Sequence, residues 1–258
     1  MIEIIISQLR FLYRVFGEKS ILYKAYKNIV VLIFTTKKFS GLDQLKDMNF
    51  YVKKLSKDLN VNERAIEYPW VISRTKNSIG QTILDVGCRK GLPSTDLLCI
   101  NNNVFGIEPD ITESITNSDF TILKGDIRAT NFQDSFFDLV LIISTLEHIG
   151  LKGRYHLQNK DDTGDFKAMT EISRILKTGG RVLGTVPYGC GSSLPLNRLY
   201  TLKRLTELFA NFQVNELNFF KYYKKYGLWL EVDEVTAASN NWDTDVWYSL
   251  ACFSLQKK

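Results

Sequence analysis

The chain has 258 residues, of which 45% are apolar and 24% charged, with five prolines and a net charge of +5. This is enough for one large domain, or a domain with an appendage, and it excludes a disordered or fibrous chain. No apolar run approaches the ~18–20 residues that cross a bilayer, so a soluble globular protein is expected.

The charge is uneven along the chain. Residues 1–76 hold 14 Lys/Arg against 7 Asp/Glu, and residues 77–258 hold 19 against 21. The excess of base therefore belongs to the first part alone. This divides the chain into a basic N-terminal extension, 1–76, and a main domain, 77–258, and it disfavours nucleic acid as a partner. Cys88, Cys99, Cys190 and Cys252 show no CxxC spacing and do not cluster with His148 or His156. No metal site and no disulfide frame is expected, and free thiols suit a reducing, cytoplasmic setting. Glu3, the absence of early Lys or Arg and the lack of a small-residue cleavage site argue against a signal peptide.

Ile2, Ile5, Leu9, Leu12 and Phe16 recur at helical spacing, with Arg10 and Arg14 one turn apart. Residues 29–34 are six apolar positions bracketed by Lys27 and by Lys37 and Lys38. They read as a core segment or as an interfacial patch, so residues 1–40 are compatible with peripheral contact at a membrane surface. Helical charge patterning returns over 43–67, and the extension as a whole reads as a helical cap.

From about residue 80 short β-rich runs alternate with helical stretches. Strands are predicted at 82–86 (TILDV), 103–107 (NVFGI), 120–124 (FTILK), 136–144 (FFDLVLIIS) and 181–186 (RVLGTV). Helices are predicted at 93–101, 110–117 and 165–177, the last closed by Lys177 and the Gly179–Gly180 pair, with a further helix near 201–210. Such alternation implies right-handed βαβ units and a parallel sheet with helices on both faces. Two late strands, 213–221 and 246–255, are placed as an antiparallel pair at the sheet edge.

Ligands of open α/β sheets lie outside the carboxyl ends of the strands, and the candidate residues fall there. Asp85, Gly87, Cys88, Arg89, Lys90 and Gly91 follow the first strand, where glycine allows a tight turn and a close approach to the backbone. Glu108, followed by Pro109, ends the second strand 23 residues after Asp85, the position of an acid that accepts ribose hydroxyls. Asp126 and Ile127 follow the third strand, where a carboxylate can accept an adenine amino group.

As a set these motifs resemble the class I S-adenosylmethionine-dependent methyltransferases. ILDVGCRKG is similar to the family's first motif, FGIEPD to its second-strand acid and GDI to its adenine loop. FFDLVLIISTLEHI is similar to the fourth strand, and EISRILKTGGRVLGTVP to the helix end and fifth strand. One softer likeness, over GDFKAMTEISRILKTGGRVLGTVPYG, is to a branch found with polysaccharide and glycan gene clusters. One departure is plain: Arg89 stands where the family has its middle glycine.

The resemblance implies a Rossmann-like, seven-stranded, mostly parallel sheet ending in an antiparallel hairpin, with S-adenosylmethionine as cofactor. The ribose would lie on Glu108, the adenine beside Asp126 and Ile127, and the methionine part over Gly87. Ser144 would shape the sulfonium pocket. Glu147 and His148 follow the fourth strand, and His148, which titrates near neutrality, is the expected general base for a small-molecule or glycan acceptor. Tyr155 and Asp165, in and after a polar loop, and Tyr188, past the fifth strand, are expected to meet the acceptor. Trp229, Trp242 and Trp247 are residue types that stack on a sugar ring or fill a core. Two other readings stay open. One is an inactive Rossmann-like binding domain. The other is a nicotinamide-dependent oxidoreductase, whose G-x-G-x-x-G loop the chain does not supply.

Overall fold

An unbroken apolar run such as LVLII, residues 139–143, is buried in a strand covered on both faces, and that strand lies at the middle of the sheet. The computed structural model describes residues 62–258 except 77, 89–101, 117–119, 152–159, 192–196, 225–226 and 246. The chain order is α1 (Arg64–Thr75), β1 (Thr82–Val86), β2 (Asn103–Glu108), β3 (Ile115–Thr116), β4 (Phe120–Lys124) and β5 (Phe137–Ile143). A 3-10 turn (Leu146–His148), α2 (Gly164–Ile175), β6 (Leu176–Tyr188), α3 (Leu202–Leu208), β7 (Phe212–Tyr223), β8 (Leu228–Val232), α4 (Glu234–Ala238) and β9 (Ser249–Lys257) follow.

The sheet order is β3-β4-β2-β1-β5-β6-β9-β7-β8. The five strands from β4 to β6 run parallel, and β9 inserts antiparallel between β6 and β7. The order reverses at β1, so the carboxyl ends of β1, β2, β4 and β5 frame one crevice.

Side chains alternate across the sheet. Leu84, Val86, Val140, Ile142 and Val182 face a core completed by Ala168, Met169, Ile172 and Ile175 of α2 and by Leu205 and Leu208 of α3. Ile83, Leu139, Leu141, Ile143 and Leu183 face the other core, completed by Ile66, Trp70 and Val71 of α1. Helices thus cover both faces. Burying a side chain of this size contributes about 1.5–3 kcal/mol, and these layers hold the strand ends in place.

The seven expected strands become nine among the described residues. The two additions are edge strands. β3 replaces the helix expected at 110–117, because Ser114 Oγ accepts the Lys124 N–H at 2.9 Å and turns the segment back on β4. The two late strands, β7 and β9, pair antiparallel as expected, but β8 and α4 intervene in the chain, so they are not a hairpin, and β8, paired with the second half of β7, takes the sheet edge. The helix expected to reach 177 stops at Ile175. Leu176 is already extended, Lys177 turns to Asp138 at 2.7 Å, and residues 177–180 bulge out between the Phe137–Leu176 and Leu139–Arg181 pairs, with Gly179 at φ +77°.

α1 belongs by number to the basic segment 1–76, yet it packs into the sheet. Trp70 Nε1 donates to Asn218 Oδ1 at 3.2 Å, and the Arg74 guanidinium lies 3.8 Å from the Trp70 ring centre. Residues 1–61, including the amphipathic stretch and the apolar patch at 29–34, lie outside the described residues, as do 93–101. No described helix is long and apolar enough to cross a membrane.

Candidate active site

The crevice is lined by Val86 and Gly87 after β1, Ile107 and Pro109 around the end of β2, and Gly125, Asp126, Ile127 and Arg128 after β4. Thr145, Ile149 and Gly150 after β5 complete it. Its shape begins with Gly87, at φ +77°, whose N–H donates to Ile107 O at 2.9 Å. A Cβ there would sit 2.4 Å from Thr145 Oγ1. The turn can pack this closely against Thr145 only because the residue is glycine.

Three acids expected at the strand ends are found there, in different states. Asp85 is buried (1% exposed). Glu108 is equally buried; its Oε1 accepts the Asp110 N–H at 3.1 Å, while Oε2 is buried and has no partner among the described residues. Asp126 is half-exposed and gripped by Arg128, whose Nη2 lies 2.6 Å from Oδ2. Burial raises the Asp126 carboxyl, but the Arg128 side-chain and main-chain hydrogen bonds and its charge outweigh that and hold it below the usual range. Between Asp85 and Glu108 lies Cys88, pushed up to about 12 by burial first and then by the two carboxylates. Its thiol stays neutral and is no nucleophile. Arg89 and Gly91, next in the loop, lie outside the described residues.

Several expected contacts fall elsewhere. Ser144 takes φ +42°, and its hydroxyl donates to Glu67 of α1 rather than turning to the crevice. Thr185 Oγ1 donates to the same Glu67 oxygen at 2.7 Å, and Arg64 pairs with the other at 2.6 Å. Tyr188 is fully buried, donates to Glu234 of α4 and packs on Phe219. It fastens α4 to the sheet.

Asp165 is also fully buried. It accepts from Tyr200 Oη at 3.1 Å, Arg204 Nε at 2.9 Å and Arg204 Nη2 at 2.7 Å, with Arg198 Nη1 at 3.5 Å. Its oxygens are occupied in tying α2 to α3, so it is a structural anchor rather than an acceptor contact. Tyr155 lies outside the described residues. Glu147 and His148 are buried in the 3-10 turn, with His148 Nε2 3.7 Å from Glu147 Oε1. Thr145, Ile149 and Gly150 of that region, not this pair, line the crevice.

Four contributors were missed from sequence. Thr145 is the wall against Gly87. Arg128 holds Asp126. Gly150, at φ +83°, is required because a Cβ would meet Asp161 O at 2.1 Å. Glu67, with no exposed surface, ties α1 to the ends of β5 and β6. A lone acid within the apolar face of Ile66, Trp70 and Val71 was the available signal for the last.

Residues 84–184 match the model of a methyltransferase domain. That stretch, from β1 into β6, is what the chain shares with the methyltransferase domain family. The chain's fold is shared at low identity by the MccD protein (13% identical, TM-score 0.52, 75% of this chain and 96% of that one). It is shared also by the [4+2]-cyclase SpnF (16%, 0.51, 74% and 79%) and by a putative methyltransferase from Bacillus halodurans C-125 (13%, 0.51, 74% and 98%). These likenesses speak for the fold alone. No curated protein matches the sequence.

S-adenosylmethionine is the cofactor of such a domain, and the residues present fit it. A buried carboxylate oxygen without a hydrogen bond is costly, and two ribose hydroxyls are the donors Glu108 lacks. Gly87 lets Thr145 pack against the turn after β1, and both line the crevice. Ile107, Ile127 and Ile149 supply apolar surface for a purine.

Proposed function

We propose that the chain transfers a methyl group from S-adenosylmethionine to an oxygen or nitrogen of a small-molecule or glycan acceptor. The observation that carries this reading is Glu108, buried at the end of β2 with one carboxylate oxygen unsatisfied among the described residues, in an opening it lines with Cys88 and Asp110. The cofactor supplies a methyl carbon already activated by a positive sulfur. The chain's own task is alignment, the part of catalysis that holding two reactants in line can supply. Glu108 holds the ribose, Asp126 and Ile127 the purine, and Gly87 with Thr145 the path of the methionine chain.

The acceptor side is read from the ends of β5 and β6. Burial first, then the charges of Glu63, Glu147 and Glu67, raise the Tyr248 hydroxyl. Its ring lies 5.5 Å from that of Trp242 and 5.7 Å from that of Trp247. Half-exposed aromatic rings such as Trp242 and Trp247 suit stacking on a sugar ring, which supports a glycan or other polyol acceptor. His148, with Glu147 Oε1 3.7 Å from its Nε2, is the residue we assign to removing the acceptor's proton.

The test begins with mass spectrometry of the purified protein for carried-over S-adenosylhomocysteine and titration calorimetry with that compound. Labelled methyl transfer to nucleotide sugars and glycans follows. Micromolar binding and label in an acceptor are expected. Absence of binding overturns the reading; binding with no label in any acceptor reduces the domain to a cofactor-binding module.

A further inference from the structure

Arg128 occupies a position that neither the motif reading nor the methyl-transfer reading uses. It follows Ile127 in the turn after β4, and its side chain is 19% exposed in the wall of the crevice. Its main-chain N–H donates to Asp126 Oδ1 at 2.9 Å. Nε lies 3.1 and 3.0 Å from the two Asp126 oxygens, and Nη2 reaches Oδ2 at 2.6 Å. The far side of the fork is also held: Nη1 donates to Asp161 Oδ2 at 3.1 Å. Asp161 is itself fixed, since its N–H donates to Gly150 O at 2.8 Å and Lys167 Nζ reaches Oδ2 at 2.9 Å. The guanidinium is thus a strap from the turn after β4 to the segment after β5, across one side of the crevice.

The geometry points to Arg128 as the residue that positions Asp126 for recognition of the purine's exocyclic amino group, and so sets preference for adenine over hypoxanthine. This rests on the methyl-transfer reading. A carboxylate on a half-exposed turn rotates freely and accepts from any direction. Here Oδ1 already takes two N–H groups, and Oδ2 takes Nη2 and a share of Nε. Each carboxylate oxygen has about two acceptor positions, so what remains is essentially one, on Oδ2. A fixed acceptor favours an amino group and repels a carbonyl oxygen at the same place. The positive charge of Arg128 is balanced by its two aspartates, so the wall stays suited to a neutral base. The planar fork is essential to this, because an ammonium is a point charge without defined donor directions.

The test is calorimetry of S-adenosylhomocysteine and S-inosylhomocysteine on the full chain and on the Arg128→Met, Arg128→Lys and Asp161→Asn variants. The wild type should prefer the adenine compound about tenfold or more. R128M should bind it about 10–100-fold more weakly, as expected when hydrogen bonds to a charged group are lost. It should also lose most of its preference over the inosine compound. R128K should resemble R128M rather than the wild type. D161N, which keeps the contact to Asp126 but frees the far end of the strap, should lose part of the preference and provides the measurement if R128M does not fold. A merely structural role would weaken both compounds equally. Equal loss, an unchanged R128M, or a wild type indifferent to the base overturns this role while leaving methyl transfer standing. A wild type that binds neither compound overturns both.

Discussion

The Gly87→Ala substitution tests the floor of the crevice most directly. At φ +77° an L side chain costs about 1–2 kcal/mol before any contact is counted. The added methyl would then lie 2.4 Å from Thr145 Oγ1 and 2.6 Å from Thr145 Cγ2, distances that cannot persist. Thr145 must rotate and give up its 3.0 Å hydrogen bond to Ile143 O, a further loss of about 1 kcal/mol. About 2–3 kcal/mol must therefore appear as lower stability, weaker cofactor binding or both. If all of it falls on binding, affinity drops roughly 30–150-fold.

Urea unfolding and calorimetry with S-adenosylhomocysteine, done together, would capture the whole effect. Adding Thr145→Ala to G87A removes the two closest atoms, so the double variant should recover the steric part and keep only the backbone cost. A coupling near zero between the two substitutions, or a G87A protein within threefold of wild-type affinity and within about 0.5 kcal/mol of its stability, would refute the reasoning.

Glu108→Ala should lower S-adenosylhomocysteine affinity about 100-fold or more while leaving the unliganded protein as stable as before, because it removes an unsatisfied buried oxygen; differential scanning calorimetry with and without ligand separates the two. Asp165→Ala should do the opposite, destabilising the fold by about 3–5 kcal/mol in urea because Arg204 and Arg198 lose their counter-charge in a buried site. Arg174 and Thr130 hold Glu171 at about 2, below its unfolded value of about 4.3. A depressed carboxyl stabilises above the unfolded value and loses that contribution as pH falls towards 2. Stability should therefore drop between about pH 4.3 and 2, and Glu171→Gln should flatten that drop in acid-unfolding curves. His148→Asn should leave S-adenosylhomocysteine binding intact and lower kcat about 100-fold with loss of the near-neutral limb of the pH profile; an unchanged profile removes His148 from the chemistry.

The fold was largely legible because five apolar-rich runs have strand length, four of them ending at a glycine, acid or proline, and a parallel sheet buries such runs on both faces. Its margins were not. β3 is two exposed residues with no apolar signal of its own, and β8 sits between β7 and α4 without a strong turn marker. The α2–β6 junction was misjudged because residues 177–180 carry a helix-stop pattern, and only the register of β6 against β5 shows them to be a bulge. At the site, what could be read was position along the chain, and what could not was direction in space. Asp85, Glu108 and Asp126 stand at strand ends, as expected. Ser144 also stands at a strand end, but its positive φ breaks the alternation of β5 and sends its hydroxyl to Glu67, on a helix 77 residues earlier in the chain.

Burial alone does not separate the acids that serve the fold from those that serve a ligand. Glu67, Asp165 and Glu108 are all almost completely withdrawn from solvent. Glu67 receives Ser144, Thr185 and Arg64; Asp165 receives Tyr200 and Arg204. Folding itself provides the donors that offset their desolvation, so their sites are complete when the chain folds. Glu108 receives one main-chain N–H on one oxygen and nothing among the described residues on the other. A deficit of that kind is tolerated where a ligand removes it, and Glu108 lines an open cleft with Cys88, Asp110 and Ile111. If that account is right, E108A and D165A should trade places: the first should lose binding and keep stability, the second lose stability and, in whatever fraction remains folded, keep binding. The same direction of change in both variants would mean that hydrogen-bond completeness does not mark function in this protein.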